Sequence, residues 1–237
     1  MVDPGQITGL ILAGGQSSRM QQGQLQPVDK GLLLLHGHPL VAWVQQYLAG
    51  RVGTVWVSAN RSIDAFSPYG EVMTDDPIYG ESAGPLAGVA SALERLRTPW
   101  LLTLPVDTPI LPDELLPQLL CAAQDGGKLV SAVTDQGSYP LCMLVHRDMA
   151  ASLHAYLFSG QRKVKAWQAL AGGTEVHFSA QGEAFFNINT PADLQQLQAR
   201  LATLRSGQPI GKVVIRHDIV VGHSGVDGDA RQTRCPG

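Results

Sequence analysis

The residues best suited to chemistry in this 237-residue chain are a glycine-rich turn, one lysine, a few carboxylates and two asparagines. The first set is Leu12-Ala13-Gly14-Gly15-Gln16-Ser17-Ser18-Arg19-Met20, directly after an apolar run. Paired glycines let backbone approach a ligand with no Cβ in the way, and their N–H groups can face anionic oxygens. Arg19 adds a cation whose planar fork suits phosphate. The segment is neither the G-x-G-x-x-G of dinucleotide sites nor the G-x-x-x-x-G-K-[ST] of phosphate-binding loops. A plain strand-to-loop turn with a surface arginine is therefore an equal reading of it.

Lys30 borders the apolar run 32–35 and follows Asp29; it is either a second phosphate-facing cation or a solvated loop lysine. Asp107 ends the apolar run 100–105, WLLTLP, and precedes Thr108-Pro109. In open α/β sheets ligands bind beyond the carboxyl ends of strands, so a carboxylate there is placed to hold a metal. Mg2+ needs only one or two protein carboxylates, with water and phosphate oxygens completing its shell. The alternative is that Asp107 caps a helix near Pro112, for which the gap is long. Asp75-Asp76-Pro77 puts two carboxylates at another strand end, able to bind ribose, base or metal, or simply to cap and turn. Gly84 and Gly88 flank Pro85-Leu86-Ala87 at a helix start, where either a ligand or a packed helix comes close. In Phe186-Asn187-Ile188-Asn189-Thr190-Pro191 alternate residues share a face, so both amides can turn inward.

Other chemistries lack their residues. Ser17 has no G-x-S-x-G context, and none of the 7 histidines has a suggestive pairing for a triad or a zinc site. Cys121, Cys142 and Cys235 are too scattered for a disulfide framework and lack C-x-x-C spacing. A net charge of −3 offers no general attraction to nucleic acid or an anionic membrane. The start, MVDPGQ, has no basic region or cleavage site, and no apolar run approaches the ~20 residues of a membrane span. The expectation is a cytoplasmic protein with no nucleic-acid or membrane partner.

These residues need elements to hold them. The patterns predict strands over 7–13, 54–59, 71–75, 100–105, 129–134 and 140–146, with a short extended piece near 31–35. They predict helices over 40–48, 86–97, 113–123, 149–157, 162–171 and 191–204, the last capped by Thr190 with Pro191 in its first turn. Further extended segments fall near 174–178 and 184–188. Strands alternating with helices imply an α/β fold, a three-layer αβα arrangement around a mostly parallel sheet. Residues 1–204 read as one domain, and 205–237 as a C-terminal extension that frays in part.

Taken together, LAGGQSSRM, Lys30, GPLAG, LPVDTP and FNINTP resemble the molybdenum cofactor guanylyltransferase family. Those enzymes are nucleotidyltransferases with a Rossmann-like, nucleotide-diphospho-sugar-transferase-like fold, and the likeness runs in order through about 7–204. Related cytidylyltransferases typically show Asp-Gln-Pro where this chain has Asp107-Thr108-Pro109. The resemblance implies transfer of GMP from GTP to Mo-molybdopterin with release of pyrophosphate. It implies that Leu12, Ala13, Gly14 and Gly15 hold GTP, Lys30 and Arg19 meet its phosphates, and Ser58 or Asn60 with Asp76 contact the nucleoside. Asp107 would bind nucleotide and Mg2+, with Gly84 and Gly88 completing the nucleotide side. The resemblance divides the domain into a nucleotide-binding N-terminal half and a pterin-binding C-terminal half, with Asn187, Asn189 and the basic pair Arg162 and Lys163 on the pterin side; that pair reads equally as a solvated helix start. Other cofactor-biosynthesis or molybdoenzyme-maturation proteins would be partners. The chain departs from the family at Gln21, where glycine is usual, at an insertion over 21–28, and at Ser58-Ala59-Asn60, where Asn-Ala-Asn is common. Two other function classes stay in view: a nucleotidyltransferase for another nucleotide or a sugar phosphate, and a GTP-binding module without transfer.

Overall fold

The structure, a computed structural model, describes residues 3–14, 29–80, 84–124, 126–179 and 182–205. Its first strand, β1 (Ile7–Leu12), is buried along its whole length, as an apolar run without polar alternation requires. After a 3-10 turn over Lys30–Leu32, a hairpin of two short strands, β2 (Leu34–Leu35) and β3 (His38–Pro39), leads into helix α1 (Leu40–Leu48). Strand β4 (Thr54–Ser58) and a short helix α2 (Ile63–Phe66) follow, then β5 (Glu71–Met73), a 3-10 turn at Pro77–Tyr79 and helix α3 (Pro85–Arg95). The rest of the chain runs β6 (Trp100–Pro105), α4 (Leu115–Gln124), β7 (Leu129–Thr134), β8 (Gly137–His146), α5 (Ala150–Phe158), α6 (Val164–Leu170), β9 (Thr174–Phe178) and α7 (Pro191–Arg205).

Seven strands form one sheet in the order β5-β4-β1-β6-β8-β7-β9. All neighbours pair in parallel except β8, which is antiparallel to both β6 and β7. The two-residue turn Asp135-Gln136 joins β7 to β8 and forces that reversal. The α/β expectation and the mostly parallel sheet are borne out. Of residues 31–35, expected to be extended, only Leu34–Leu35 form a strand, residues 31–32 belonging to the 3-10 turn, and 184–188 form a turn followed by irregular chain rather than a strand.

Period-2 alternation splits the core between the two faces of the sheet. Ile7 and Ile11 of β1 point into a cluster with Leu40, Val44 and Leu48 of α1, Leu115 and Leu119 of α4, and Leu197 and Leu201 of α7. Leu10 and Leu12 point the other way, into Leu86, Val89 and Ala90 of α3, Leu153 and Leu157 of α5, and Trp167 of α6. The chain leaves β1 toward β4 on one side and returns to β6 on the other. That reversal opens a crevice beyond the carboxyl ends of β1, β4 and β6, where ligands bind in such sheets.

Candidate functional site

Three segments far apart in sequence meet at this crevice. Asp107 stands just past β6, its carbonyl accepting the Ile188 N–H at 2.8 Å. That bond lays 187–189 along the strand end. Ile188 is buried while Asn187 and Asn189 are exposed, so alternate residues do share a face, with both amides on the open side. The Lys30 ammonium donates to Asp107 Oδ2 at 3.1 Å and to Asn189 Oδ1 at 3.3 Å. The lysine side chain is 14% exposed and the aspartate 30%. The pair is therefore sheltered but reachable, the environment in which a fixed cation acts most strongly on a phosphate. Of the two readings of Lys30, the solvated loop lysine does not describe this contact.

Among the described residues, Asp107 Oδ1 has only the Thr108 hydroxyl beside it, at 3.4 Å, and its side chain makes no helix cap. One accessible carboxylate at a strand end fits Mg2+ that shares its shell with substrate phosphates. Among the described residues no group of three His, Cys, Asp or Glu side chains gathers to hold a metal by itself. Cys142 of β8 lies fully buried; burial, then the Asp107 charge, pushes its thiol well above the usual range. It is a core thiol and no nucleophile.

A second cluster lies at the ends of β4 and β5. Asn60 and Asp75 are locked reciprocally: Asn60 Nδ2 donates to Asp75 Oδ2 at 2.9 Å, and the Asp75 N–H donates to Asn60 Oδ1 at 2.9 Å. The Ser58 hydroxyl sits 3.4 Å from Asp75 Oδ1. Gly88 of α3 packs onto this group so closely that a Cβ there would come 2.3 Å from Ser58 Oγ and 3.1 Å from Asp75 Oδ1. Gly84, with φ 80°, sets the entry into α3. Asp76 is turned elsewhere. Its carboxylate accepts the Ile78 N–H at 3.0 Å and caps the 3-10 turn, while its own N–H donates to Ser91 Oγ at 2.8 Å. Asp75, not Asp76, joins the cluster. Alternation could have found it, since Asp75 shares the parity of Met73, which faces α3.

The remaining site expectations divide. Ala13 and Gly14 follow Leu12 at the end of β1, and both their N–H groups donate to the Ser58 carbonyl at 3.0 Å. This stitches the glycine turn to the second cluster. Gly15, Arg19 and the 21–28 insertion lie outside the described residues, as do Cys235 and nearly all of the expected extension at 205–237. Arg162 spends its guanidinium on carbonyls, those of Leu157 and Gln161 at 2.7 Å and Tyr79 at 3.1 Å. It thereby ties the end of α5 to the turn before α3. Lys163 is the N-cap residue of α6, and its carbonyl accepts from the Tyr156 hydroxyl at 2.8 Å. Sequence reasoning also missed Asp193, whose carboxylate accepts the N–H groups of Asn189 and Thr190 at 2.8 and 2.7 Å while Thr190 Oγ accepts from Asp193 N–H at 3.2 Å. Burial pushes its carboxyl up, but those bonds and the Lys30 charge outweigh it and hold it below the usual range. This box fixes the Asn189 backbone that meets Lys30.

Known proteins resemble this chain over most of its length. The family model described as a MobA-like NTP transferase domain matches residues 9–176. A molybdenum cofactor guanylyltransferase from Ralstonia nicotianae is 39% identical over 84% of this chain and 100% of its own length. One from Bordetella petrii is 41% identical over 83% of this chain and 100% of its own. Among solved structures, molybdopterin-guanine dinucleotide biosynthesis protein A from Archaeoglobus fulgidus superposes with a TM-score of 0.64 at 21% identity, covering 83% of this chain and 99% of that one; that likeness speaks to the fold. None of the described helices is long and apolar enough to cross a membrane.

Proposed function

This chain belongs to the MobA-like NTP transferase family and is a nucleotidyltransferase, and from that premise we propose how its residues divide the work. The reaction is transfer of GMP from GTP to Mo-molybdopterin, in keeping with relatives named molybdenum cofactor guanylyltransferase. The terminal phosphate oxygen of the pterin attacks the α-phosphorus of GTP in line. A P–O bond forms, the bond to the bridging oxygen of the β-phosphate breaks, and pyrophosphate leaves with that electron pair. No protein nucleophile is required, so catalysis is alignment and charge neutralisation of two anionic partners.

The observation that carries this reading is the Lys30 ammonium set between Asp107 and Asn189 at the mouth of the crevice. Without nucleotide, Lys30 neutralises Asp107. When a triphosphate enters, the ammonium turns its donors to phosphate oxygens and Asp107 gives up its partner. Asp107 would then hold a Mg2+, which supplies positive charge beside the phosphates when bound and completes its shell with water and phosphate oxygens. Ser58, Asn60 and Asp75 offer acceptors and an amide to the base or ribose, and Asn187 and Asn189 face the pterin side of the opening. Arg19 is proposed as a further phosphate contact, and Lys163 remains the basic residue assigned toward the pterin.

Calorimetry with GTP, CTP, ATP and UTP in the presence of Mg2+ tests the assignment. GTP should bind at least tenfold tighter than the others, and Asp107→Ala should abolish pyrophosphate release from GTP plus the pterin. A preference for CTP would instead identify a cytidylyltransferase, and full activity in Asp107→Ala would remove the metal assignment.

A further inference from the structure

A three-residue 3-10 turn cannot hold a lysine in place by itself, because each such turn closes very few hydrogen bonds. The residue ahead of it, Asp29, is only 7% exposed, yet its carboxylate makes no capping bond to the turn. Instead, Asp29 Oδ1 accepts from the Arg61 guanidinium at 2.7 Å and Oδ2 from the Ser62 hydroxyl at 2.6 Å. Ser62 sits in the left-handed region at φ 51°, a conformation that costs a non-glycine residue and persists only where its surroundings impose it. The Ser62 carbonyl accepts the N–H groups of Ala65 and Phe66 and so starts α2. The Phe66 ring then presses on the turn from the other side: a Cβ on Gly31 would come 2.9 Å from Phe66 Cε1 and 3.4 Å from Val106.

Asn60, which locks the Asp75 carboxylate, is the immediate neighbour of Arg61. One connection, 58–62, thus grips both halves of the crevice. We propose that Asp29, Arg61 and Ser62 are positioning residues, an ion-pair clamp that sets the Lys30 ammonium in register with the Ser58–Asn60–Asp75 cluster. A triphosphate can then be met by Lys30 while its nucleoside is held by the cluster. The clamp acts through Lys30, and the inference rests on the role of Lys30 proposed above.

The test is a cycle of variants read by calorimetric GTP affinity with Mg2+ and by kcat and KM for pyrophosphate release. Asp29→Asn and Arg61→Ala should each weaken GTP binding about 10- to 100-fold, the cost of a misplaced contact, with Arg61→Lys recovering part of the loss. In a Lys30→Ala background the same two substitutions should cost nothing further. Equal additional losses in that background would show a general structural role or a direct substrate contact by Arg61, and would overturn the clamp. Ser62→Ala, which removes one hydroxyl from the surface side of the carboxylate, serves if Asp29→Asn does not fold; unchanged GTP affinity there also counts against the proposal. A loss in Lys30→Ala with none in the clamp variants sinks the clamp alone, whereas parent-like binding by Lys30→Ala sinks the lysine's role and the clamp together.

Discussion

Lys30→Ala is the perturbation whose consequence the geometry defines best. At the 3.1 Å separation from Asp107, two unit charges interact by about 5 kcal/mol at an effective dielectric of 20. Most of that gross energy is offset by desolvation, and the exposed part of Asp107 regains water once the lysine is gone. The net cost to the folded state should be about 1 kcal/mol, which lowers Tm by about 2–4 °C for a chain of this size. The cost to ligand binding is larger, because a bound triphosphate loses a charge-assisted donor held in a sheltered position. Such a bond contributes about 1.5–3 kcal/mol, so Kd for GTP should rise about 10- to 150-fold. Calorimetry alongside thermal melting separates the two effects. The reasoning is refuted if GTP affinity stays within twofold of the parent, or if the loss of affinity is matched by a collapse in Tm.

Three further outcomes are expected. Asp75→Asn should weaken nucleotide binding with little change in melting, whereas Asp76→Ala should cost about 1 kcal/mol of stability, as for a lost cap, and spare binding; the reverse pattern would contradict the assignment of Asp75. Gly88→Ala should drive its methyl group into Ser58 and Asp75, costing about 1–3 kcal/mol by overpacking and weakening GTP binding, and a crystal structure showing the pair undisturbed would refute it. The depressed Asp193 carboxyl adds stability that is fully present above the ordinary carboxylate range, near pH 4, and is lost as pH falls through its folded-state value. Asp193→Asn should therefore be less stable than the parent by about 0.3–1 kcal/mol at pH 7, the contribution of a carboxylate in the first turn of a helix, and denaturant titrations should show that gap closing as pH drops below 4.

What the sequence made legible follows from how locally each feature is determined. Strands β6 and β7 and helix α1 have the expected bounds because mostly apolar runs or a clear helical face define them without reference to the rest of the chain, and β9 because Val176 and Phe178 alternate with polar residues. Helix α2 went unread, since its four residues are started by a left-handed Ser62 whose conformation is imposed by Asp29, 33 positions away. The antiparallel β8 was placed as a strand but begins at Gly137, and the turn Asp135-Gln136 that reverses it carries a weak signal. Lys30, Asp107 and Asn189, which residue type and position single out, do come together in space. The resemblance points to Asp76, whereas the structure sets the neighbouring Asp75 against Ser58 and Asn60, as the parity of the strand indicates. Arg162 looked like a free cation, and only tertiary contact shows its guanidinium engaged by three carbonyls.

The bond from Lys30 to Asn189 joins positions 159 residues apart. A chain made from its N-terminus emerges with β1, β4 and β6, the Asp29 clamp and the Asn60–Asp75 lock all available for assembly well before Ile188 and Asn189 are synthesised. The carbonyl of Asp107 waits for Ile188, and Lys30 waits for its second acceptor. Completion of the crevice thus follows the assembly of its other parts, and a copy stopped short of Ile188 holds the parts of a phosphate site without the wall that closes it.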